Sequence, residues 1–325
     1  MAPRTELFVK QASAYARARP VYPATLFEML AAATKKHELA WDCATGNGQA
    51  ASMLSEHFKS VVATDISDGQ LAHAIPRPNV KYAKMPATPA PEELERIVGP
   101  DGSVDLVTVA QALHWFDLEK FYAVVKRVLR KPGGVLAAWC CLLPRVSPEV
   151  DELCDRFYRV DSGPYWDQEV IKIVDAEYTT LPFPFEPVDE RGIGPHKLSM
   201  TTEWNLEDYM TFWRSCSAVQ TALDQGIDLL TDEVKDGFAK AWGPADQMRT
   251  VTFPIALMLG REVFPCIPVS ASPGREKTQH CDQDWNPMGE LTEVNSKEKG
   301  TLVIPSLITE PCFSSFANML MYKKD

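Results

Sequence analysis

Apolar and polar positions along the first half of the chain fall into two alternating rhythms. Short apolar runs, "LAWDC", "SVVATDIS", "VKYAKM", "SVDLVTVAQAL" and "PGGVLAAWCC", predict five strands. Between them, "QAASMLSEHF", "QLAHAI", "PEELERIV" and "LEKFYAVVKRVLR" read as helices, and "TLFEMLAAATKKHEL" precedes the first strand as another. In that leading helix the apolar Leu26, Met29, Leu30 and Ala33 recur at the three-and-four spacing of one helix face, and Pro23 stands where a first turn begins. Strand and helix in regular alternation imply a parallel sheet covered on both faces, a doubly wound α/β fold. Ligands of such sheets bind at the carboxyl ends of the strands.

From Pro144 the rhythm changes. "EVDELCDRFYRV" and "DQEVIKIVDAEY" predict helices with no strand between them, and "LPFPFEPVDERGIGPH" is a proline-broken loop. "LSMTTEW" resumes as a strand, followed by an aromatic-rich helix that Asn205 caps with Asp208 three residues on. "RTVTFPIALMLG" is the last strand. The organisation expected is an N-terminal helical segment over residues 1–38, a ligand-binding core over 39–143, a helical cap or insertion over 144–195 and the last strands and helix over 196–260. Residues 261–325 show no amphipathic face and are expected to form a disordered tail.

Composition narrows the partners. The chain has 325 residues, 45% of them hydrophobic, enough to bury a core unaided. Its 33 Lys and Arg against 44 Asp and Glu give a formal net charge of −11, which repels nucleic-acid backbones and anionic membrane surfaces. Eight cysteines show no C-x-x-C pair and no zinc spacing, as suits reduced, packed thiols. No apolar run reaches the length of a membrane span, the N-terminus lacks the apolar region of a signal peptide, and Glu6 argues against a transit peptide. The expectation is a cytoplasmic monomer or weak homodimer with no nucleic acid or membrane partner.

The chemistry is concentrated in "LAWDCATGNGQAA", a strand running into a glycine-bearing turn and a helix. Gly46, Gly48 and Ala51 fit the G-x-G-x-x-G/A fingerprint of dinucleotide binders, while Asp42 with Gly46 and Gly48 fits the turn of S-adenosylmethionine binders. Asp42 is the sharper clue: a carboxylate just before the turn suits an ammonium or its waters and repels a pyrophosphate. Asp65, ending the second strand, is able to accept both hydroxyls of a ribose under either reading.

"WDCATGNGQ", "ATDIS", "VDLVTVAQALHWFD" and "VKRVLRKPGGVLAAW", in that order, resemble the successive motifs of class I S-adenosylmethionine-dependent methyltransferases. "YARARPVYP" and "AQALHWFD" resemble the branch that contains trans-aconitate methyltransferase and methyltransferases of type 11. The resemblance covers about residues 8–260. It implies a seven-stranded sheet whose last strand is antiparallel, with S-adenosyl-L-methionine across the ends of strands one, two and four. It departs from the family at Ala44, where glycine is usual, and in the tail after Gly260.

Carried onto this chain, the resemblance assigns Asp42, Ala44, Gly46 and Gly48 to the cofactor turn, Asp65 to the ribose with Ile66 beside it, and Ala87 of "PAT" to the adenine. Gln111, His114 and Trp115 fall just past the fourth strand, above the methyl group, and Tyr15 lies in a segment that covers the cofactor in relatives. An aromatic face there stabilises a sulfonium cation by about 0.5–2 kcal/mol. His114 is the candidate catalytic residue, either as a general base or as the group that orients a substrate carboxylate. Each position has a plainer reading. Asp65 also suits a helix cap, Asp42 a structural bond to the turn, Trp115 a core aromatic and His114 a histidine bonded to backbone.

Methyl transfer is an in-line displacement, so the protein must mainly hold donor and acceptor about 3–3.5 Å apart and exclude water, with no metal needed. The expected acceptor is a small molecule, a carboxylate or a phenol. The rivals are a degenerate methyltransferase-like binding protein without turnover and, less favoured, an NAD(P)-dependent oxidoreductase.

Overall fold

The computed structural model describes residues 21–263, all within one unit of the chain. Eight strands form one sheet: β1 (Leu39–Cys43), β2 (Ser60–Asp65), β3 (Val80–Lys84), β4 (Leu106–Ala110), β5 (Val135–Cys141), β6 (Glu186–Pro187), β7 (His196–Trp204) and β8 (Arg249–Arg261). Their order is β3-β2-β1-β4-β5-β8-β6, with β7 also paired to β8. The first five strands run parallel, and β8 runs antiparallel to β5, to β6 and to β7. The seven strands expected are all present. The addition is the two-residue β6, which lies inside the segment read as loop.

The helices are α1 (Ala24–Ala33), α2 (Gln49–Leu54), α3 (Asp68–Leu71), α4 (Pro91–Ile97), α5 (Leu118–Val128), α6 (Pro148–Arg156), α7 (Gln168–Asp175), α8 (Leu206–Ser215), α9 (Ser217–Asp224) and α10 (Asp232–Trp242). Local chemistry explains their ends. Asp117, Asp167 and Thr231 each accept a main-chain N–H of the first turn of α5, α7 and α10, and Asn205 with Asp208 forms both halves of a capping box on α8. The aromatic-rich helix expected after Asn205 is two, broken at Cys216, whose extended ψ of 140° closes α8 before α9 starts. Helix α10 was not foreseen, although Thr231 and Gly243 bracket it and Phe238 and Trp242, four residues apart, are its buried contacts.

The central strands are buried on both faces, which is why they read as apolar runs: every residue of β5 is buried. Two cores result. One contains Leu26, Phe27 and Leu30 of α1, Trp139, and the aromatics Phe157, Trp204, Tyr209, Trp213, Phe238 and Trp242. The other contains Trp41, Phe121, Val125, Leu136 and Tyr178. Phe157, Tyr158 and Trp166, in the segment expected to form the cap, are buried and belong to the first core, with Tyr165 packed against it. Asp105, 2% exposed, ties the amino edge of the sheet by accepting from Glu38 N (2.8 Å), Leu39 N (3.1 Å) and Arg130 Nε (2.5 Å). The tail expected over 261–325 lies, beyond Val263, outside the described residues.

Among the described residues no helix is long and apolar enough to cross a membrane. The five described cysteines, 43, 140, 141, 154 and 216, are buried and free.

Candidate active site

The strand order sets the carboxyl ends of β2, β1 and β4 side by side, and the segments leaving those ends carry most of the candidate residues. After β1 the chain turns through Ala44 at φ 56°, Gly46 at φ 58° and Gly48 at φ 82°. Left-handed backbone is easy for glycine and costly for Ala44. Gly48 is required for a second reason, since a Cβ there would strike the Tyr82 ring and hydroxyl, which itself donates to Ile75 O at 2.7 Å. The turn is pinned by Thr45 N to Thr64 O (2.9 Å) and Gly48 N to Thr45 O (3.0 Å).

Asp65 ends β2 and is 2% exposed. Its carboxylate accepts from Gly46 N at 2.9 Å and from Ser67 N at 2.8 Å, so it holds the glycine turn against the start of the following loop. Next to it Ile66 is 50% exposed, an apolar side chain left in the open beside an acid. Within the turn, Asn47 is buried and its Oδ1 has no hydrogen-bond partner among the described residues.

Asp42 is fully buried, one residue before the end of β1. Register places it opposite Thr108 of β4, whose hydroxyl donates to Oδ1 at 2.6 Å, while the Thr45 hydroxyl donates to Oδ2 at 2.5 Å. Burial pushes its carboxyl up to about 6, against the two threonine hydroxyls and the Ala51 N–H, which favour the anion; nearby Asp65 adds to the rise. Both oxygens of Asp42 therefore face structural donors, the plainer of its two sequence readings.

Past β4, Gln111 takes a left-handed φ of 58°, with its N–H on Trp139 O at 2.8 Å. Its side chain spans 3.4 Å to the Tyr22 hydroxyl and 3.4 Å to Cys141 N. Tyr22 packs edge-on against Trp139 (5.5 Å), and burial drives its phenol far above the usual range. A single 3-10 turn, Leu113–Trp115, then carries His114 and Trp115 with their rings 5.1 Å apart. His114 Nδ1 lies 2.8 Å from the hydroxyl of Tyr178, 64 residues away in sequence. Ala87 is half-buried after β3, and Tyr15 lies outside the described residues. Trp213 is 1% exposed, packed on Phe157 and Tyr209 inside the core; Arg214 pairs with Asp228 at 2.9 Å.

The family model for a methyltransferase domain matches residues 41–138. A Dictyostelium discoideum protein described as a methyltransferase is 30% identical over 255 residues, covering 76% of this chain and 92% of that one. A solved structure described as a type II methyltransferase from Anaeromyxobacter dehalogenans has 37% identity and a TM-score of 0.65, covering 75% of this chain and 97% of the other. A Saccharomyces cerevisiae protein described as an S-adenosylmethionine-dependent methyltransferase is 30% identical over 147 residues, 44% of this chain and 50% of that one. The chain belongs to the class I S-adenosylmethionine-dependent methyltransferases. Within that family it is of the type 11 branch, and its cofactor is S-adenosylmethionine.

The residues present fit that cofactor. This methyltransferase pairs an acid with an exposed apolar neighbour, Asp65 and Ile66, at one strand end, an acceptor suited to ribose hydroxyls beside an apolar flank suited to an adenine. A left-handed glycine turn and the unpartnered Asn47 Oδ1 lie at the adjacent end. Sequence reasoning placed Asp65, Ile66 and the glycines at their strand ends because those places are local. It missed Thr45, Thr108 and Tyr178, whose contacts with Asp42 and His114 are formed by the fold.

Proposed function

We propose that this methyltransferase transfers the methyl group of S-adenosyl-L-methionine to a small-molecule acceptor whose reacting atom is a carboxylate or phenol oxygen. The observation that carries the reading is the convergence of an acid–apolar pair at the end of β2, a glycine turn at the end of β1 and a histidine–tryptophan pair past β4 on one edge of the sheet. When bound, the cofactor supplies an electrophilic methyl group on a sulfonium.

Asp65 would accept the ribose hydroxyls, Ile66 and Ala87 would flank the adenine, and Gly46, Gly48 and Ala44 would let the main chain approach the amino-acid end. Asp42 acts on that end through Thr45, whose hydroxyl it holds. Gln111, tied to the Tyr22 hydroxyl, would border the methyl group, and Trp115 would offer a ring face to the cation. His114 would bind or deprotonate the acceptor oxygen, within a pocket closed by the cap over residues 144–195.

Calorimetry with S-adenosylmethionine, S-adenosylhomocysteine and NAD tests the binding half. The first two should bind and the third should not; binding of NAD alone ends the reading. A screen of small acids and phenols with methyl-labelled cofactor tests turnover. Label transfer to one of them is expected, while cofactor binding with no transfer to any of them would identify a binding protein.

A further inference from the structure

We propose that Tyr178 is a positioning residue for His114, its hydroxyl donating to Nδ1 so that the imidazole is held in one orientation with its proton on Nε2. The inference rests on the reading of His114 as a site residue and deepens it.

Four observations carry it. The Tyr178 hydroxyl and His114 Nδ1 are 2.8 Å apart, a direct hydrogen bond. Tyr178 is 0% exposed, and burial, with Cys140, Cys141 and Tyr22 close by, raises its phenol well above the ordinary value, so it keeps its proton throughout the working range. The main-chain N–H of His114 acts on the same phenol oxygen. One lone pair of that oxygen is thus engaged, and its hydroxyl hydrogen is available to Nδ1. A neutral imidazole carries one N–H and one acceptor nitrogen, so a ring that accepts at Nδ1 carries its hydrogen on Nε2.

The fourth observation is the backbone that delivers the phenol. Glu177 at φ 55° and Tyr178 at φ 65° are consecutive non-glycine residues in left-handed conformation just after α7. Such conformations cost energy and persist only where the surroundings over-determine them. Here the surroundings do so: Glu177 N bonds Val174 O (2.8 Å), Tyr178 N bonds Ile173 O (3.1 Å), and Glu177 pairs with Lys197 of β7. The strained corner turns the Tyr178 ring inward to meet His114 at 5.8 Å between ring centres.

The consequence for the reaction is specific. In this tautomer His114 offers a hydrogen-bond donor rather than a lone pair at Nε2, so it serves an acceptor oxygen that is already ionised and does not take its proton.

The test is nitrogen NMR of the imidazoles in the full chain labelled with 15N-histidine, at a pH about two units above the ordinary histidine value of about 6.5. The chain has six histidines, and the signal lost in His114→Gln identifies the one concerned. The expected wild-type result is a single tautomer with protonated Nε2. Tyr178→Phe should convert it to a mixture while the other rings keep their shifts. A protonated Nδ1 in the wild type, or a His114 signal unchanged in Tyr178→Phe, overturns the proposal; if that variant does not fold, the wild-type tautomer decides alone. Titration with S-adenosylhomocysteine separates this from the parent reading. A locked tautomer that does not respond to the ligand retains the Tyr178 bond and removes His114 from the site, and a responsive mixture of tautomers does the reverse.

Discussion

Replacing Asp42 with Asn changes one atom in a fully enclosed site and should change how stability depends on pH. The wild-type carboxyl is lifted from 3.8 to about 6, first by burial, with the threonine hydroxyls and the Ala51 N–H opposing. A rise of about two pH units corresponds to about 3 kcal/mol, an order of magnitude, at about 1.36 kcal/mol per unit. The sign follows from proton counting. Between pH 3.8 and about 6 the folded protein keeps the proton that the unfolded chain has lost, so stability falls as pH rises through that window. The contribution is complete below 3.8 and gone above about 6. Asn cannot ionise, so it escapes the loss. Its carbonyl accepts from one threonine, and the other hydroxyl, Thr45 or Thr108, turns to accept from the amide. The difference in unfolding free energy, Asp42→Asn minus wild type, should therefore grow by up to about 3 kcal/mol between pH 4 and pH 7. Any fixed cost of the altered hydrogen bonds is common to both ends. Urea unfolding of both proteins across that range measures the difference. A difference that is flat with pH, or that shrinks as pH rises, would refute the account of Asp42 as a carboxylate held above its ordinary value by burial.

Substitutions at three further sites test separate links. Asp65→Ala should weaken S-adenosylmethionine binding by about 1.5–3 kcal/mol, the worth of hydrogen bonds to a charged group, as read by calorimetry, and unchanged affinity would show the ribose position to be wrong. The same variant should lower the thermal midpoint, because Gly46 N and Ser67 N lose their acceptor. Gly48→Ala should cost about 2 kcal/mol in urea unfolding, since alanine there is left-handed and its Cβ meets the Tyr82 ring. Pairing it with Tyr82→Ala should leave the backbone cost and remove the steric one, giving a double-mutant coupling of favourable sign. Asp105→Ala should destabilise by about 1–3 kcal/mol, because two main-chain N–H groups at the amino edge of β1 lose their acceptor and Arg130, which keeps Ser103 O, loses its ion pair; no measurable loss would mean that water replaces the carboxylate.

The five parallel strands and the helices between them were legible because each is defined within a dozen residues. A strand buried on both faces must be a short apolar run, as all seven buried residues of β5 show. The capping box of Asn205 and Asp208 was legible for the same reason, being three residues long. Helix α10 left a readable trace that went unused, a threonine cap, a terminal glycine and Phe238 and Trp242 four apart. The break at Cys216 left none, because the surrounding side chains continue an apolar helical pattern across it.

The site divides along the same line. Sequence by itself determined which strand ends carry Asp65, Ile66, Gly46, Gly48 and His114, since those places follow from strand order and turn chemistry. Tertiary structure alone decided what each group faces. Asp42 is shut in because register sets it opposite Thr108, 66 residues on, and His114 has a phenol on Nδ1 because a strained corner 64 residues on turns Tyr178 inward. The physical reason is that polarity and periodicity are properties of neighbours along the chain, whereas burial and hydrogen-bond partnership, which set a carboxyl's pKa and a histidine's tautomer, arise only when distant segments pack together.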